Sequence, residues 1–169
     1  MGDARLDSSS LNFKTALKSS ISERVFSFYL SNNNFTASDY DSSSEFIIGE
    51  VDTTHASGDL TYLPLYNSQG FWSLQLTALR CGSSLSLTVD RAILDTGASL
   101  LLAPAADAYS LIAALNTVGS CAVDASAGLI ICDCQTHDMS DYPDIVFSLG
   151  GSEFPLLAED YFWQIVSPI

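Results

Sequence analysis

Apolar and polar positions alternate along much of the chain with the period of two that is typical of strands with one buried face. The clearest run places Trp72, Leu74, Leu76 and Ala78 on one side of a strand. Shorter runs rich in β-branched and aromatic residues predict further strands. They cover residues 25–30, 46–50, 60–65, 85–89, 92–94, 128–132 and 145–149. We therefore expect a mainly β protein.

Two stretches have a helical pattern instead. Phe13, Leu17 and Ile21 recur at intervals of four residues, which predicts a short amphipathic helix. Pro104 precedes an alanine- and leucine-rich stretch that predicts a second helix over Ala105–Leu115. Residues 1–10 are polar and form a separate N-terminal segment in this prediction, whereas residues 11–169 form one domain.

One carboxylate lies between two strongly apolar runs. Asp95 follows the predicted strand 92–94 and precedes three consecutive leucines at 100–102, which we expect to continue into the core. A buried carboxylate must be hydrogen-bonded, because burying an unpaired charge is costly. Gly97 allows a backbone N–H to approach the carboxylate with no Cβ in the way. Such surroundings are typical of carboxylates that perform chemistry.

The sequence around Asp95 is similar to a known active-site loop. Residues 93–99, Ile-Leu-Asp-Thr-Gly-Ala-Ser, resemble the loop in the C-terminal lobe of the pepsin-like aspartic proteases. Motifs in the family's order surround it at residues 49–52, 58–65, 71–74 and 142–147. The resemblance implies one lobe of the bilobal pepsin-like fold, with two short helices. It also implies that residues 11–169 stop before the last strands of that lobe.

The resemblance implies an aspartic-type endopeptidase. In this family two Asp side chains share a proton and activate a water molecule that attacks a peptide bond. Asp95 would be one of them, and the other would belong to an N-terminal lobe that is missing here. Thr96 would donate its hydroxyl across the lobe interface, Gly97 would donate its N–H to Asp95, and Ser99 would complete the loop. Ala98 stands where relatives often have Ser or Thr.

The implied substrate is an extended polypeptide, and neither a metal nor an organic cofactor is implied. Two alternatives remain open at this point. In the first alternative, the chain is a catalytically inactive remnant or binding protein that keeps the fold. In the second, it is a homodimer that pairs two copies of Asp95 as retroviral proteases do. The absence of a flap-like hairpin before Asp95 counts against the homodimer. Asp52, in Asp-Thr-Thr, is interpreted as a turn residue.

The four cysteines are Cys81, Cys121, Cys132 and Cys134. Four cysteines allow three pairings, and Cys121 and Cys132 flank a glycine-containing turn that a disulfide would bridge. Cys132, Cys134 and His137 offer three ligands rather than the four of a structural zinc site, so no metal site is predicted. In relatives, one cysteine of this region pairs with a downstream cysteine that this chain lacks.

The formal net charge of −14 excludes the basic surface that nucleic-acid binding needs, and it excludes a polybasic membrane contact. The sequence has no apolar run long enough to span a membrane. The first residues lack the pattern of a signal peptide, as expected if an N-terminal half is missing. The resemblance implies that the intact protein is secreted or lysosomal/vacuolar. Asn34 begins a glycosylation sequon, Asn-Phe-Thr.

Overall fold

The computed structural model describes residues 21, 23–31, 44–66 and 70–163. The chain divides into two compact units, of which one spans Arg5–Tyr62 and the other is built mainly from Leu63–Ile169. We call them the N-terminal unit and the C-terminal unit. The polar segment 1–10, the helix predicted around Phe13 and the sequon at Asn34 lie outside the described residues.

The described part of the N-terminal unit contains one pair of antiparallel strands. Strand β1 (Phe26–Tyr29) pairs with β2 (Glu45–Ile48), so that Phe28 lies opposite Phe46 and Tyr29 lies opposite Glu45. The rings of Phe28 and Phe46 stack with their centroids 4.6 Å apart. Cross-strand aromatic pairs of this kind stabilise a sheet through side-chain packing.

The C-terminal unit contains an antiparallel sheet of five strands: β3 (Ser73–Cys81), β4 (Leu85–Leu87), β5 (Arg91–Ile93), β8 (Ile145–Leu149) and β9 (Ser152–Leu156). Their order is β4-β3-β8-β9, with β5 also paired to β3. Strand β5 pairs with the beginning of β3, and β4 pairs with its end. Most of the predicted strands are therefore present.

A bulge in β3 changes which of its side chains face the core. The register against β8 shifts between Leu76 and Ala78. Before the bulge Leu76 is buried opposite Leu149, and after it Cys81 is buried opposite Ile145. An extra residue on one strand reverses the alternation of faces, so Leu74 and Leu76 are buried as predicted, whereas Ala78 no longer lies on their face.

Two further elements pack on this sheet. Helix α1 (Ala105–Leu115) has the predicted bounds and packs Ile112 and Leu115 into a buried core that also contains Cys81 and Ile145 of the sheet. A hairpin of β6 (Cys121–Asp124) and β7 (Leu129–Cys132) follows it, and the Cys121–Cys132 disulfide closes that hairpin as predicted. Cys81 is a buried free thiol and Cys134 is an exposed one.

Two short helical elements flank the last two strands of the sheet. A 3-10 turn (Met139–Asp141) precedes β8, and helix α2 (Ala158–Tyr161) follows β9. The Tyr161 hydroxyl donates a hydrogen bond to the carbonyl of Pro143 at 2.7 Å. Burial raises the pKa of the Tyr161 phenol above its usual range. This contact ties α2 to the segment that enters β8.

One predicted strand is absent. Residues 60–65 form no strand, and Leu60 and Tyr62 are exposed. Pro64 has no N–H to donate to a ladder, and it interrupts an apolar run that otherwise looks like a strand.

Within the described residues, no helix combines the length and the apolar character that a bilayer crossing requires.

Candidate active site

The Asp95 loop starts from a backbone anchored in the sheet. Ile93 pairs with Ser73, and the N–H of Leu94 donates a hydrogen bond to the carbonyl of Trp72 at 2.9 Å. Ser73 is itself almost completely buried, and its hydroxyl donates to the carbonyl of Tyr66. The start of β3 therefore fixes the residue immediately before the carboxylate.

The carboxylate of Asp95 is hydrogen-bonded within its own loop. The side-chain Oδ1 accepts a hydrogen bond from the N–H of Gly97 at 2.9 Å. The backbone carbonyl of Asp95 accepts another from the N–H of Ala98 at 3.2 Å. A Cβ added to Gly97 would lie 3.1 Å from Oδ1. Glycine is thus suited to this position because the carboxylate approaches its backbone closely.

The structure corrects the expectation that this loop is buried. Asp95 is exposed, and the following residues Leu100, Leu101 and Leu102 are 46%, 57% and 87% exposed. None of the three forms a strand. An exposed run of apolar residues is typical of a surface that binds another segment or protein. Among the described residues, none covers these three leucines.

The remaining loop residues line an open surface. Thr96 and Ser99 are exposed beside Asp95. A shallow cleft of about 230 Å³ lies next to them, and its walls are formed by Ala98, Ser99, Leu100 and Leu102. The candidate loop residues therefore lie together at one accessible edge of the C-terminal unit.

Asp52 and Cys132 lie outside the Asp95 loop and have contacts of their own. Asp52 Oδ1 accepts the N–H and the hydroxyl of Thr54 at 2.8 Å and 2.7 Å, the hydrogen bonds of an Asx turn. Both hydrogen bonds lower the pKa of the Asp52 carboxyl, and the one from the Thr54 hydroxyl has the larger effect. Cys132 is in the disulfide and has no thiolate to offer a metal.

Sequence reasoning did not identify the support behind the loop. The carbonyl of Trp72 binds the N–H of Leu94, and the buried Ser73 pairs with Ile93, so these two residues position the segment that leads into the loop. Both contacts belong to the pairing of the two strands. The Phe-Trp-Ser-Leu motif at residues 71–74 indicates only a place in the family's order. The pairing of β3 with β5 could not be read from that motif.

Comparison with known proteins identifies the family. The family model described as eukaryotic aspartyl protease matches residues 3–167. The chain belongs to this family. It is 32% identical over 143 residues to cathepsin D of Clupea harengus, with 83% of this chain and 33% of the relative covered. It is also 32% identical over 147 residues to pepsin A of Sus scrofa, with 85% and 34% covered.

A nematode relative matches more narrowly. Aspartic protease 1 of Caenorhabditis elegans is 32% identical over 113 residues, which are 67% of this chain and 27% of that protein. The chain thus spans about a third of the length of these relatives. The resemblance to pepsin-like proteases is confirmed, and the mainly β architecture with two α-helices in its described part is that of a single pepsin-like lobe.

Proposed function

We propose that the chain supplies one half of the catalytic centre of an aspartic endopeptidase, with Asp95 as one of its two catalytic carboxylates. The observation that carries the proposal is the exposed Asp95 side chain, which the N–H of Gly97 holds at 2.9 Å in a loop of the aspartyl protease family. Family membership makes proteolysis the expected chemistry.

The chemistry requires a second carboxylate. Two Asp side chains at close range share one proton, because both cannot be ionised together at low cost. The ionised Asp takes a proton from a water molecule, which attacks the peptide carbonyl that the protonated Asp polarises. Asp95 would supply one carboxylate of such a pair, and the N–H of Gly97 donates a hydrogen bond to its Oδ1 at 2.9 Å.

The second carboxylate would come from an N-terminal lobe. Two observations support this partner: the chain spans about a third of its relatives, and Leu100, Leu101 and Leu102 are exposed after the loop. In this arrangement the Thr96 hydroxyl would donate across the lobe interface. Residues 11–169 would form part of a C-terminal lobe, and an extended polypeptide would bind between the lobes.

The intact protein would be secreted or lysosomal/vacuolar. The Cys121–Cys132 disulfide supports an oxidising compartment, since such bonds are rare where thiols are kept reduced. The formal net charge of −14 fits acidic surroundings, in which protonation of carboxylates relieves self-repulsion. Glycosylation at Asn34 would also require passage through the secretory route.

The test joins this chain to the N-terminal lobe of a pepsin-like protease and measures cleavage of a denatured protein from about pH 3 to about pH 7. We expect activity that an inhibitor mimicking the tetrahedral intermediate blocks. Asp95→Asn should abolish it. Asp107→Asn, at an acidic residue in the first turn of α1, is the control and should leave it unchanged.

Three results would overturn the proposal. Activity that survives Asp95→Asn would mean that another group performs the chemistry. A folded two-lobe protein that neither cleaves nor binds the inhibitor would indicate an inactive remnant. Activity of this chain alone as a dimer, lost in Asp95→Asn, would indicate that two copies complete the pair without a separate lobe.

A further inference from the structure

The N-terminal unit brings together three side chains of the types that bind transition metals. Glu45, Asp52 and His55 each offer one ligand atom, and these atoms all lie within 4.8 Å of one another. We propose that they form a binding site for a divalent transition-metal ion such as Zn²⁺. The site is separate in sequence from the Asp95 loop and does not rest on the function proposed for that loop.

The position of His55 suits a ligand. Its ring stacks on the ring of Tyr29 with centroids 3.6 Å apart and planes 7° apart. Its Nε2 lies 3.7 Å from Oδ2 of Asp52, which is too far for a good hydrogen bond. Two ligands bound tetrahedrally at the usual zinc distances are separated by about 3.3 Å. A small closing movement would therefore place both atoms on one ion.

The position of Asp52 leaves one oxygen for the metal. Thr54 donates two hydrogen bonds to Oδ1, whereas Oδ2 points towards His55. The Asp52 side chain is 18% exposed, so much of its surface is already out of water. Hydrogen bonds to the non-ligating oxygen orient a carboxylate and strengthen a metal site.

Glu45 joins the cluster through strand pairing. It is the first residue of β2 and lies directly opposite Tyr29 of β1, on which His55 stacks. Glu45 is exposed, so an ion can enter from solvent. The spacing of positions 45, 52 and 55 matches no metal motif, which is why the sequence predicts no site here.

The donor set indicates the class of metal. One imidazole and two carboxylates suit Zn²⁺ and its neighbours, whereas Mg²⁺ and Ca²⁺ prefer oxygen ligands alone. Three protein ligands leave a position for water on a tetrahedral ion. A chain with a net charge of −14 also attracts cations in general. The experiment must therefore separate this site from diffuse binding to carboxylates.

The test is calorimetric titration of the metal-free full chain with Zn²⁺ at neutral pH, with Co²⁺ absorption as a second readout. We expect one ion per chain and a Co²⁺ spectrum that reports nitrogen ligation. Glu45→Gln and His55→Phe should each weaken binding by about tenfold or more. The phenyl ring retains the stacking on Tyr29, and far-UV circular dichroism verifies that each variant is folded.

The chain offers a matched control. His137 Nδ1 lies 3.9 Å from Asp141 Oδ2, a similar His–carboxylate pair, and His137→Phe should leave binding unchanged. Cys134→Ser tests for capture by the exposed thiol. Zn²⁺ binding that persists in His55→Phe, that is lost in Cys134→Ser, or that Mg²⁺ displaces equally well would overturn the proposal, as would the absence of saturable binding at millimolar Zn²⁺.

Discussion

Removal of the disulfide should destabilise the chain by a calculable amount. The bond joins Cys121 and Cys132, which are 11 residues apart. Chain-entropy theory for a loop of this length gives about 2.8 kcal/mol of stabilisation, which acts by restricting the unfolded state. Because β6 and β7 pair in full register between the two cysteines, Cys121→Ala/Cys132→Ala should keep the native hairpin.

The assay is urea unfolding monitored by circular dichroism. With slopes typical of small proteins, the unfolding midpoint of the double variant should fall by about 1–3 M urea. The wild-type chain treated with a reductant should behave like the double variant. Cys134→Ala is the control, because the Cys134 thiol is exposed and free, and it should leave the midpoint unchanged.

Thiol counting provides an independent check of the same assignment. Of the four cysteines, the unfolded unreduced chain should react at two, Cys81 and Cys134. In the folded chain Cys81 should react slowly, since burial shields its thiol and raises its pKa. A midpoint that is unchanged in the double variant, or four reactive thiols before reduction, would refute the reasoning.

Two further predictions concern turns. Gly150→Ala and Gly128→Ala each place an alanine at positive φ, +58° and +68°, which should lower the free energy of unfolding by about 1–2 kcal/mol. At Gly150 an added Cβ would also overlap Leu63, whereas the space around Gly128 is open, so Gly150→Ala should cost more in the same urea assay, and equal costs would exclude the overlap. The Ser126 hydroxyl and N–H lower the pKa of Asp124, so Ser126→Ala should raise that pKa towards 3.8 by NMR titration. The Asp124 contribution to stability is present above that pH and is lost as pH falls, and an unchanged pKa in the variant would contradict this cause.

Local patterns predicted most of the elements. Helix α1 has the predicted bounds because Pro104 precedes it and strong helix formers fill it. Strand β8 also has the predicted bounds, since an apolar run ends at two turn-forming glycines. Strand β9 escaped prediction because Pro155 lies inside it. Proline is tolerated there because β9 is at the edge of the sheet.

Features that depend on non-local pairing could not be predicted. The bulge between Leu76 and Ala78 is set by the register of β3 against β8, which no local pattern contains. The prediction that the three leucines at 100–102 continue into the core is wrong, because apolar character does not tell which surface will cover a segment. The predicted burial of Asp95 is wrong for the same reason, although the N–H of Gly97 does donate to its carboxylate.

The exposed leucines at 100–102 also determine how the isolated chain will behave in solution. At neutral pH a formal charge of −14 keeps copies apart, but that repulsion disappears near the isoelectric point of about 4.1. Colloidal stability should therefore be lowest in the acid range where cleavage by an aspartic protease is sought. Light scattering recorded beside each acid assay would distinguish substrate lost to digestion from substrate carried down in a precipitate.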